Sequence, residues 1–253
     1  MKVVVIVPAY MTGPGLLTVL EGAAGAVGKE NVLVVDDGSP DAYPMEAARL
    51  GYNVVRHDRN MGKGEALKTG FAWALSHGYS GVVTLDGDGQ HDPGLIPSFL
   101  ERAGAAAADI VIGSRMRDVR TMPIVRIYVN RFTSWVVSRL AGQRIEDSQS
   151  GYRYISSRVL EAVRLEGSRY DLESEILVKA ARKGLVIESI PIPTVYGEEK
   201  SSIKPLKDAI CFWRLVLSLR REARKGAGRR GGTADTIQAE RTGRAGRARD
   251  TRE

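Results

Sequence analysis

The stretch GVVTLDGDGQHDP, residues 81–93, places a short apolar run directly before a cluster of acidic and polar residues. The run Val82–Leu85 does not alternate with polar residues, which is typical of a strand buried on both faces. Asp86, Asp88 and Asp92 follow at once. A buried strand that ends in several carboxylates indicates a site at the carboxyl edge of a parallel sheet.

The same pattern recurs on both sides of this stretch. The predicted strands are Val3–Val7, Val32–Val35, Asn53–Arg56, Val82–Leu85 and Ile110–Ile112. The predicted helices between them are Leu16–Val27, Met45–Leu50, Glu65–Ser76 and Leu95–Ala108. This alternation predicts an α/β fold with a Rossmann-like, mostly parallel sheet flanked by helices. An antiparallel sandwich would show period-two alternation, which these runs lack.

The regular alternation of predicted strands and helices ends at about residue 115. Helices are predicted over Ile124–Leu140, Ser157–Leu165 and Leu172–Lys183, and a strand within residues 185–193. A further helix is predicted from about Leu206 to Arg224, before a segment dominated by Gly, Arg, Thr and Ala. That composition is typical of disorder. We therefore expect a folded domain over residues 1–205, an amphipathic helix over 206–225 and a disordered basic tail over 226–253.

The positive charge of the chain is concentrated near its end. Residues 220–253 hold eleven Lys or Arg and five Asp or Glu, so they carry six of the seven net charges. The rest is nearly neutral, which argues against nucleic acid as a partner. A single cysteine, Cys211, excludes an internal disulfide. No apolar run is long enough to predict a transmembrane helix.

Two acidic clusters are expected at the same edge of the sheet. One predicted strand ends in Asp36 and Asp37, and another in Asp86 and Asp88. Carboxylates that share an edge repel each other, so a hard cation such as Mg²⁺ or Mn²⁺ would compensate them and share its shell with substrate phosphates. Aspartates after strands also act as turn formers and helix caps, and this alternative stays open for Asp36 and Asp37.

The segment NMGKG, residues 60–64, opens a predicted helix. Its backbone amides and the ammonium of Lys63 could bind an anion. The segment lacks the spaced glycine and the following Ser or Thr of a mononucleotide-binding loop. A plain junction between loop and helix is the alternative.

Taken together, these motifs resemble family 2 glycosyltransferases with the GT-A fold. VPAY, VDDGS, NMGKGEALKTG, LDGDGQHDP, GSR and DSQSGYR occur in that order within residues 1–205. The set is most similar to the dolichyl-phosphate mannose and glucose synthases. The resemblance implies metal-dependent, inverting transfer of a hexose from a nucleotide-diphosphate sugar to dolichyl or polyprenyl phosphate. GDP-mannose is slightly favoured over UDP-glucose, and a soluble acceptor is the alternative to the lipid.

The resemblance also implies roles for individual residues. Three would hold Mg²⁺ or Mn²⁺ on the donor diphosphate: Asp86, Asp88 and Gln90. The nucleotide sugar would be contacted by Pro8, Tyr10, Asp37, Lys63, Asp86 and Gln149. Besides Asp88, the residues implied in catalysis are Arg115 and Arg126, which would hold the acceptor phosphate, and Asp147, near the transferred sugar.

The role of Asp147 has three alternatives: general base, polar positioning group and turn former. A phosphate monoester has a second pKa of about 6, so the acceptor needs orientation more than deprotonation. One position departs from the family, which usually reads PAYNE with the Glu on the nucleotide. Met11 and Thr12 occupy the positions of the Asn and Glu, which leaves open whether the site recognises guanine or uracil in the nucleotide.

Two segments combine apolar, aromatic and basic residues at helical spacing, namely residues 123–142 and 203–225. Such helices lie in the membrane interface, so we expect a peripheral protein on the inner, cytoplasmic face of the cell membrane. The alternative is that both apolar stripes pack on the domain itself. The basic tail could add attraction to anionic lipid, and a separate membrane-anchor subunit is a further candidate partner.

Overall fold

A computed structural model describes residues 1–117, 119–120, 122–167, 171–193, 213, 215–219 and 221. The strands are β1 (Val3–Ala9), β2 (Val32–Asp36), β3 (Asn53–Arg56), β4 (Gly81–Thr84), β5 (Ile110–Ser114), β6 (Arg153–Ser156) and β7 (Ile187–Pro191). The α-helices are α1 (Gly15–Val27), α2 (Tyr43–Arg49), α3 (Lys63–Ser76), α4 (Ile96–Ala105), α5 (Ile124–Ala141), α6 (Ser157–Ala162) and α7 (Asp171–Arg182). Short 3₁₀ helices occupy Lys29–Asn31 and Pro93–Leu95.

The strands form one sheet in the order β3-β2-β1-β4-β6-β5-β7. Neighbouring strands are parallel except at β6, which is antiparallel to both β4 and β5. The predicted α/β fold with a mostly parallel sheet flanked by helices is therefore confirmed. The sequence pattern does not reveal β6, because its four residues directly follow a polar segment and form no apolar run.

The central strands are buried on both faces, as their unbroken Val and Ile runs predict. Helices α1 and α4 share one core with alternate residues of β1, namely Val3, Val5 and Val7. Helix α3 lies on the opposite face, against Ile6 of β1. Its Gly70 permits this close approach, because a Cβ there would lie 2.7 Å from Ile6 Cγ2.

The strand order reverses between β1 and β4, and this reversal positions the site. From β1 the chain builds β2 and β3 on one side and then places β4 on the other side of β1. In open α/β sheets, ligands bind in the crevice that such a reversal opens beyond the carboxyl ends of the strands. The loops after β1 and β4, which begin at Tyr10 and Leu85, flank this crevice.

The predicted helix boundaries differ from the structure by one to three residues, and the differences in α3, α4 and α6 are informative. Helix α3 begins at Lys63 rather than Glu65, so the lysine belongs to the first turn. Helix α4 ends at Ala105 rather than Ala108, because Ala107 takes a positive φ of 46° that no helix accommodates. Helix α6 ends at Ala162 rather than Leu165, since Val163 is extended.

The described residues fall into two compact units, one within Met1–Asp208 and one within Ala209–Glu253. In the second unit, residues 213, 215–219 and 221 are helical. The remainder of the helix predicted over 206–224, and the tail over 226–253, lie outside the described residues. Within the described part of the chain, no helix is both long and apolar enough to span a bilayer.

Candidate active site

The loop after β4 carries Asp86 and Asp88 to the crevice and packs against the loop after β1. Gly87 makes this contact possible: a Cβ there would lie 3.1 Å from both Leu16 Cδ1 and Thr12 Cγ2. Asp88 Oδ1 accepts a hydrogen bond of 3.0 Å from the Gln90 amide, which curls the loop back on itself. The three residues predicted to bind a cation thus lie on one short turn.

Lys63 joins this turn to two other elements. Its Nζ lies 2.7 Å from Asp86 Oδ1 and 2.9 Å from Glu173 Oε1 at the start of α7. We call this arrangement of Lys63, Asp86 and Glu173 the lysine bridge. The structure therefore brings together Lys63 and Asp86, both predicted from motifs, and adds Glu173, which the sequence analysis misses.

The charges of the lysine bridge stabilise one another. Burial opposes the charged form of Lys63, but Asp86 and Glu173 raise its pKa above the ordinary lysine value. Burial likewise opposes ionisation of Asp86, yet Lys63 above all lowers its pKa. Burial and the negative charge of Asp86 raise the pKa of Asp88. A cation placed at these two carboxylates would relieve that repulsion.

Gly151 leaves the space that the lysine bridge occupies. A Cβ at this position would lie 2.8 Å from Lys63 Nζ and 2.9 Å from Asp86 Oδ2, both closer than Cβ atoms normally approach. The Gly151 carbonyl accepts a hydrogen bond of 2.7 Å from Thr84 Oγ1 of β4. The glycine of the DSQSG segment therefore serves the site by its lack of a side chain.

Arg115 and Asp147 form a second ion pair, which we call the arginine fork. Arg115 Nε donates to Asp147 Oδ2 at 2.9 Å, and Nη2 donates to Oδ1 at 3.1 Å. The Arg115 amide adds a third bond to Oδ2, and the Gln149 amide donates to Oδ1. Burial opposes ionisation of Asp147, but Arg115 lowers its pKa. An ionised, fully engaged carboxylate is a weak proton acceptor, which favours positioning over general-base action.

Arg153 is a fully buried arginine that the sequence analysis does not single out. Its guanidinium donates to the carbonyls of Ser148 and Ser150 and to that of Glu173. Burial lowers the pKa of Arg153, and the nearby carboxylates Glu173 and Asp147 oppose that effect. Arg153 thus ties the DSQSG segment to the start of α7. Its signal in the sequence is the last letter of DSQSGYR, a charge at the start of a strand.

Asp37 binds the backbone of the segment that directly precedes Lys63. Its Oδ1 accepts from the Met61 amide and lies 2.8 Å from His57 Nδ1, and its Oδ2 accepts from the Gly62 amide. The second ring nitrogen of His57 lies 2.9 Å from Thr69 Oγ1 of α3. The aspartate therefore caps the segment that presents Lys63, in line with the capping alternative, and its contact with a nucleotide stays a prediction.

Asp36 is likewise a structural carboxylate. Its Oδ1 accepts a 2.8 Å bond from the Ser39 amide, and its Oδ2 lies 3.2 Å from Arg56 Nη1. These contacts shape the turn after β2, which agrees with the alternative that Asp36 is a turn former.

The other predicted nucleotide contacts lie along the crevice wall. Pro8 lies near the end of β1, and Tyr10 follows the strand with an exposed side chain. Met11 is also exposed and takes a positive φ of 53°, a conformation that Asn adopts more readily than Met. The Gln149 side-chain amide donates to Ser174 Oγ at 3.4 Å, so it faces α7.

Arg126 lies in the first turn of α5 and is half-buried. The contacts described above join Lys63 to Asp86, and join Asp147 to both Arg115 and Gln149. The approach of Arg126 to this set stays a prediction.

The residues on the β4 turn fit a hard divalent cation. Among the described residues, no group of at least three His, Cys, Asp or Glu side chains is arranged to hold a metal. Asp86, Asp88 and Gln90 offer two carboxylates and one amide oxygen, which leaves positions for phosphate oxygens and water. Mg²⁺ and Mn²⁺ are bound in this way, by one or two carboxylates together with substrate phosphates.

The sequence of the domain matches a known family. The family model described as glycosyl transferase family 2 covers residues 4–154, more than half of the chain. The protein belongs to glycosyl transferase family 2. The fold is GT-A and the chain is a glycosyltransferase, as the motif order predicts.

Two curated relatives show the range of this branch. The chain is 31% identical over 226 residues to the undecaprenyl-phosphate mannosyltransferase of Micrococcus luteus, a match that covers 80% of this chain and 88% of the relative. It is 30% identical over 191 residues to the UDP-N-acetylglucosamine–dolichyl-phosphate N-acetylglucosaminyltransferase of Methanococcus voltae, covering 67% and 76% respectively.

The fold is similar to that of a solved glycosyltransferase. Glucosyl-3-phosphoglycerate synthase from Mycobacterium tuberculosis, crystallised with Mn²⁺, UDP-glucose and phosphoglyceric acid, superposes with a TM-score of 0.67. The match covers 86% of this chain and 78% of that chain at 20% identity, so the likeness concerns the fold.

Proposed function

We propose that this glycosyltransferase moves a hexose, with mannose favoured, from a nucleotide-diphosphate sugar to dolichyl or polyprenyl phosphate. The observation that carries the proposal is the turn of Asp86 and Asp88 at the strand-order reversal, with Lys63 bridged to it. The names of both curated relatives specify a polyprenyl- or dolichyl-phosphate acceptor, which supports the lipid over a soluble alternative.

On the donor side, the site must stabilise a diphosphate that gains negative charge as the sugar departs. A Mg²⁺ or Mn²⁺ ion held by Asp86, Asp88 and Gln90 would supply Lewis-acid stabilisation of this leaving group. Lys63 contributes a positive charge beside the same carboxylates. Pro8, Tyr10 and the segment that Asp37 supports would form the wall against which the nucleotide lies.

On the acceptor side, the phosphate is already largely ionised at neutral pH and attacks without a strong base. It must instead be oriented for attack on the face of the sugar opposite the diphosphate, which gives inversion. The planar guanidinium of Arg115 suits a phosphate, and Asp147 fixes its orientation through the arginine fork. We assign Arg126 to the same phosphate.

The exposed face of α5 supports a membrane-bound acceptor. Its apolar side chains are exposed along about three turns, with Ile124 71% and Trp135 61% exposed, and include Val125, Tyr128, Val129 and Phe132. The opposite face of the helix is buried and packs near α7. Basic residues lie within the same helix, namely Arg126, Arg131 and Arg139. We propose that this face rests in the interface of the inner leaflet of the cell membrane.

The domain boundaries stay proposals beyond the first unit. We assign residues 1–205 to catalysis, 206–225 to a second interfacial helix, and 226–253 to a basic tail. A separate membrane-anchor subunit would be compatible with this arrangement, and nucleic acid has no assigned role.

A transfer assay tests the proposal. Radiolabelled GDP-mannose, UDP-glucose and UDP-N-acetylglucosamine are offered separately to the purified chain, with Mn²⁺ and a short polyprenyl phosphate in detergent. We expect label in the organic phase from one donor, and its loss in Asp88→Ala. Release of free nucleotide without organic-phase label would move the acceptor to a soluble compound. No turnover of any donor would contradict the proposal.

A further inference from the structure

Glu173 is the member of the lysine bridge that no motif marks. It lies in the first turn of α7, and only 9% of its side chain is exposed. Its Oε1 shares the Lys63 ammonium with Asp86, at 2.9 Å and 2.7 Å respectively. One unit positive charge therefore faces two carboxylates, of which only Asp86 lies on the proposed cation-binding turn.

The position of Glu173 is fixed by the sheet. Its backbone carbonyl accepts from the buried guanidinium of Arg153, a residue of β6. The ion-pair space beside it is bounded by Gly151, whose own carbonyl is bound by Thr84 of β4. Glu173 is thus held against the ammonium by its own element, with 9% of its side chain exposed, while the side chain of Asp86 is 27% exposed.

We propose that Glu173 is a positioning residue that retains Lys63 at the site, and that Lys63 and the divalent cation compete for Asp86 when no nucleotide is bound. This inference rests on the proposed function, because it takes Asp86 and Asp88 as cation ligands. Retained by Glu173, the ammonium neutralises Asp86 in the empty site and remains nearby once the cation has taken its place.

Competition for Asp86 and a purely structural role of Lys63 predict opposite changes in Mn²⁺ affinity when the lysine charge is removed. Loss of the positive charge in Lys63→Met removes both a competitor for Asp86 and a repulsive neighbour of the cation. Mn²⁺ should then bind about tenfold more tightly in the absence of nucleotide, since a unit charge within a few ångströms of a dication is worth at least one factor of ten. Damage to the fold would weaken binding instead.

Glu173→Gln should act in the opposite direction. The variant removes a negative charge from the region and leaves Lys63 with Asp86 as its remaining carboxylate partner in the bridge. Mn²⁺ should bind about threefold more weakly. In the double variant Lys63→Met, Glu173→Gln, the weakening should be smaller than in Glu173→Gln alone, because the part that acts through Lys63 is gone and only the direct loss of a negative charge remains. Such non-additivity is what residues in direct contact show.

The experiment is a titration of the full chain with Mn²⁺, in which the paramagnetic resonance signal of free Mn²⁺ reports the unbound ion. Lys63→Arg keeps the charge and should stay within about twofold of the parent chain. Lys68→Met is the matched control, because Lys68 lies on the same helix and pairs with Glu65 at 2.7 Å outside the site; it should leave Mn²⁺ binding unchanged. Thermal melting of each variant confirms that it folds.

The outcomes separate this inference from the proposed function. Mn²⁺ binding that is lost in Asp88→Ala but unchanged or weaker in Lys63→Met would overturn the competition and leave the cation site in place. Binding that requires added UDP or GDP in both the parent chain and Lys63→Met would also overturn it. Absence of binding in every protein, even with nucleotide, would remove the cation from the proposed function itself.

Discussion

The lysine bridge and the arginine fork both pair a basic side chain with carboxylates, but their geometry differs. Lys63 is a point charge shared between two carboxylates that belong to different elements. Arg115 instead directs two parallel bonds at a single carboxylate that is completely buried. A shared ammonium can change partners at little geometric cost, whereas a bidentate fork is specific for one partner. The first arrangement suits a site that exchanges a cation, and the second suits one that must hold an orientation.

The largest expected effect comes from removing a proposed cation ligand, Asp88, on the turn that carries Asp86 of the lysine bridge. Asp88→Ala should lower kcat/KM for sugar transfer by about 10³-fold, since the loss of one electrostatic stabiliser of a developing charge commonly costs 10²–10³. The measurement is initial-rate transfer with saturating Mn²⁺. A loss of less than about tenfold would assign the cation to other ligands.

A second effect concerns the stability of the arginine fork. Asp147→Asn leaves the half-buried guanidinium of Arg115 without its counter-charge and should lower the free energy of unfolding by about 3 kcal/mol at pH 7. Because the folded pKa of Asp147 lies below its unfolded value, the pair stabilises the chain above the unfolded pKa of about 3.9 and loses this contribution as the pH falls through the folded pKa. Urea unfolding of both proteins between pH 7 and pH 3 should show the difference shrink.

If the difference between the two proteins does not change with pH, Asp147 acts through its shape and not through its charge. The same titration bears on the mechanism. With Asp147 ionised throughout the neutral range, the acid side of the pH profile for transfer should be set by the acceptor phosphate and not by this residue.

A third effect tests the geometry of the fork directly. Arg115→Lys keeps the charge but loses the planar arrangement, and should lower kcat/KM by about 30-fold. Arg117→Lys is the matched control, because Arg117 makes a similar two-bond contact with Glu146 on the surface. It should leave kcat/KM unchanged. Equal losses in both variants would indicate a general effect on the segment after β5.

The smallest effect is expected at Gly151. Gly151→Ala places a Cβ less than 3 Å from Lys63 Nζ and Asp86 Oδ2, so the lysine bridge must shift. The neighbouring atoms are the ends of flexible side chains, and the cost should be modest, with kcat/KM about fivefold lower and the melting temperature nearly unchanged. Transfer rates and melting curves check this together. A large loss of stability would show that Gly151 serves the fold more than the site.

The lysine bridge was largely predictable because its parts follow strands and open helices. Asp86 and Asp88 come directly after a buried apolar run, and Lys63 stands at a helix start, so local pattern and sheet topology place them together. Asp37 shows the limit of this reasoning. Whether it caps a loop or faces a ligand depends on the return of residues 57–62, which no local pattern specifies.

The arginine fork and the residues behind the bridge depend on long-range contacts. Arg115 and Asp147 are 32 positions apart, and Arg153 reaches Glu173 across 20. A buried charge carries no hydrophobic signal, and a four-residue strand leaves no period to detect. The antiparallel β6, which brings Arg153 under the site, is therefore visible only in the structure.

The pairing of β6 with β5 has a consequence for engineering. Because these neighbours are antiparallel, the chain leaves the sheet after Ser114 and re-enters beside it at Arg153. Residues 115–152, which include α5, therefore form an excursion whose two ends leave and re-enter the sheet at adjacent positions of its carboxyl edge. Such a segment can be exchanged as a unit for one of another length, provided that the replacement keeps Arg115, Asp147 and Gly151, which belong to the arginine fork and border the lysine bridge. Because we propose that Arg115 and Arg126 of this excursion hold the acceptor phosphate, grafting it between relatives should transfer acceptor preference without redesigning the sheet.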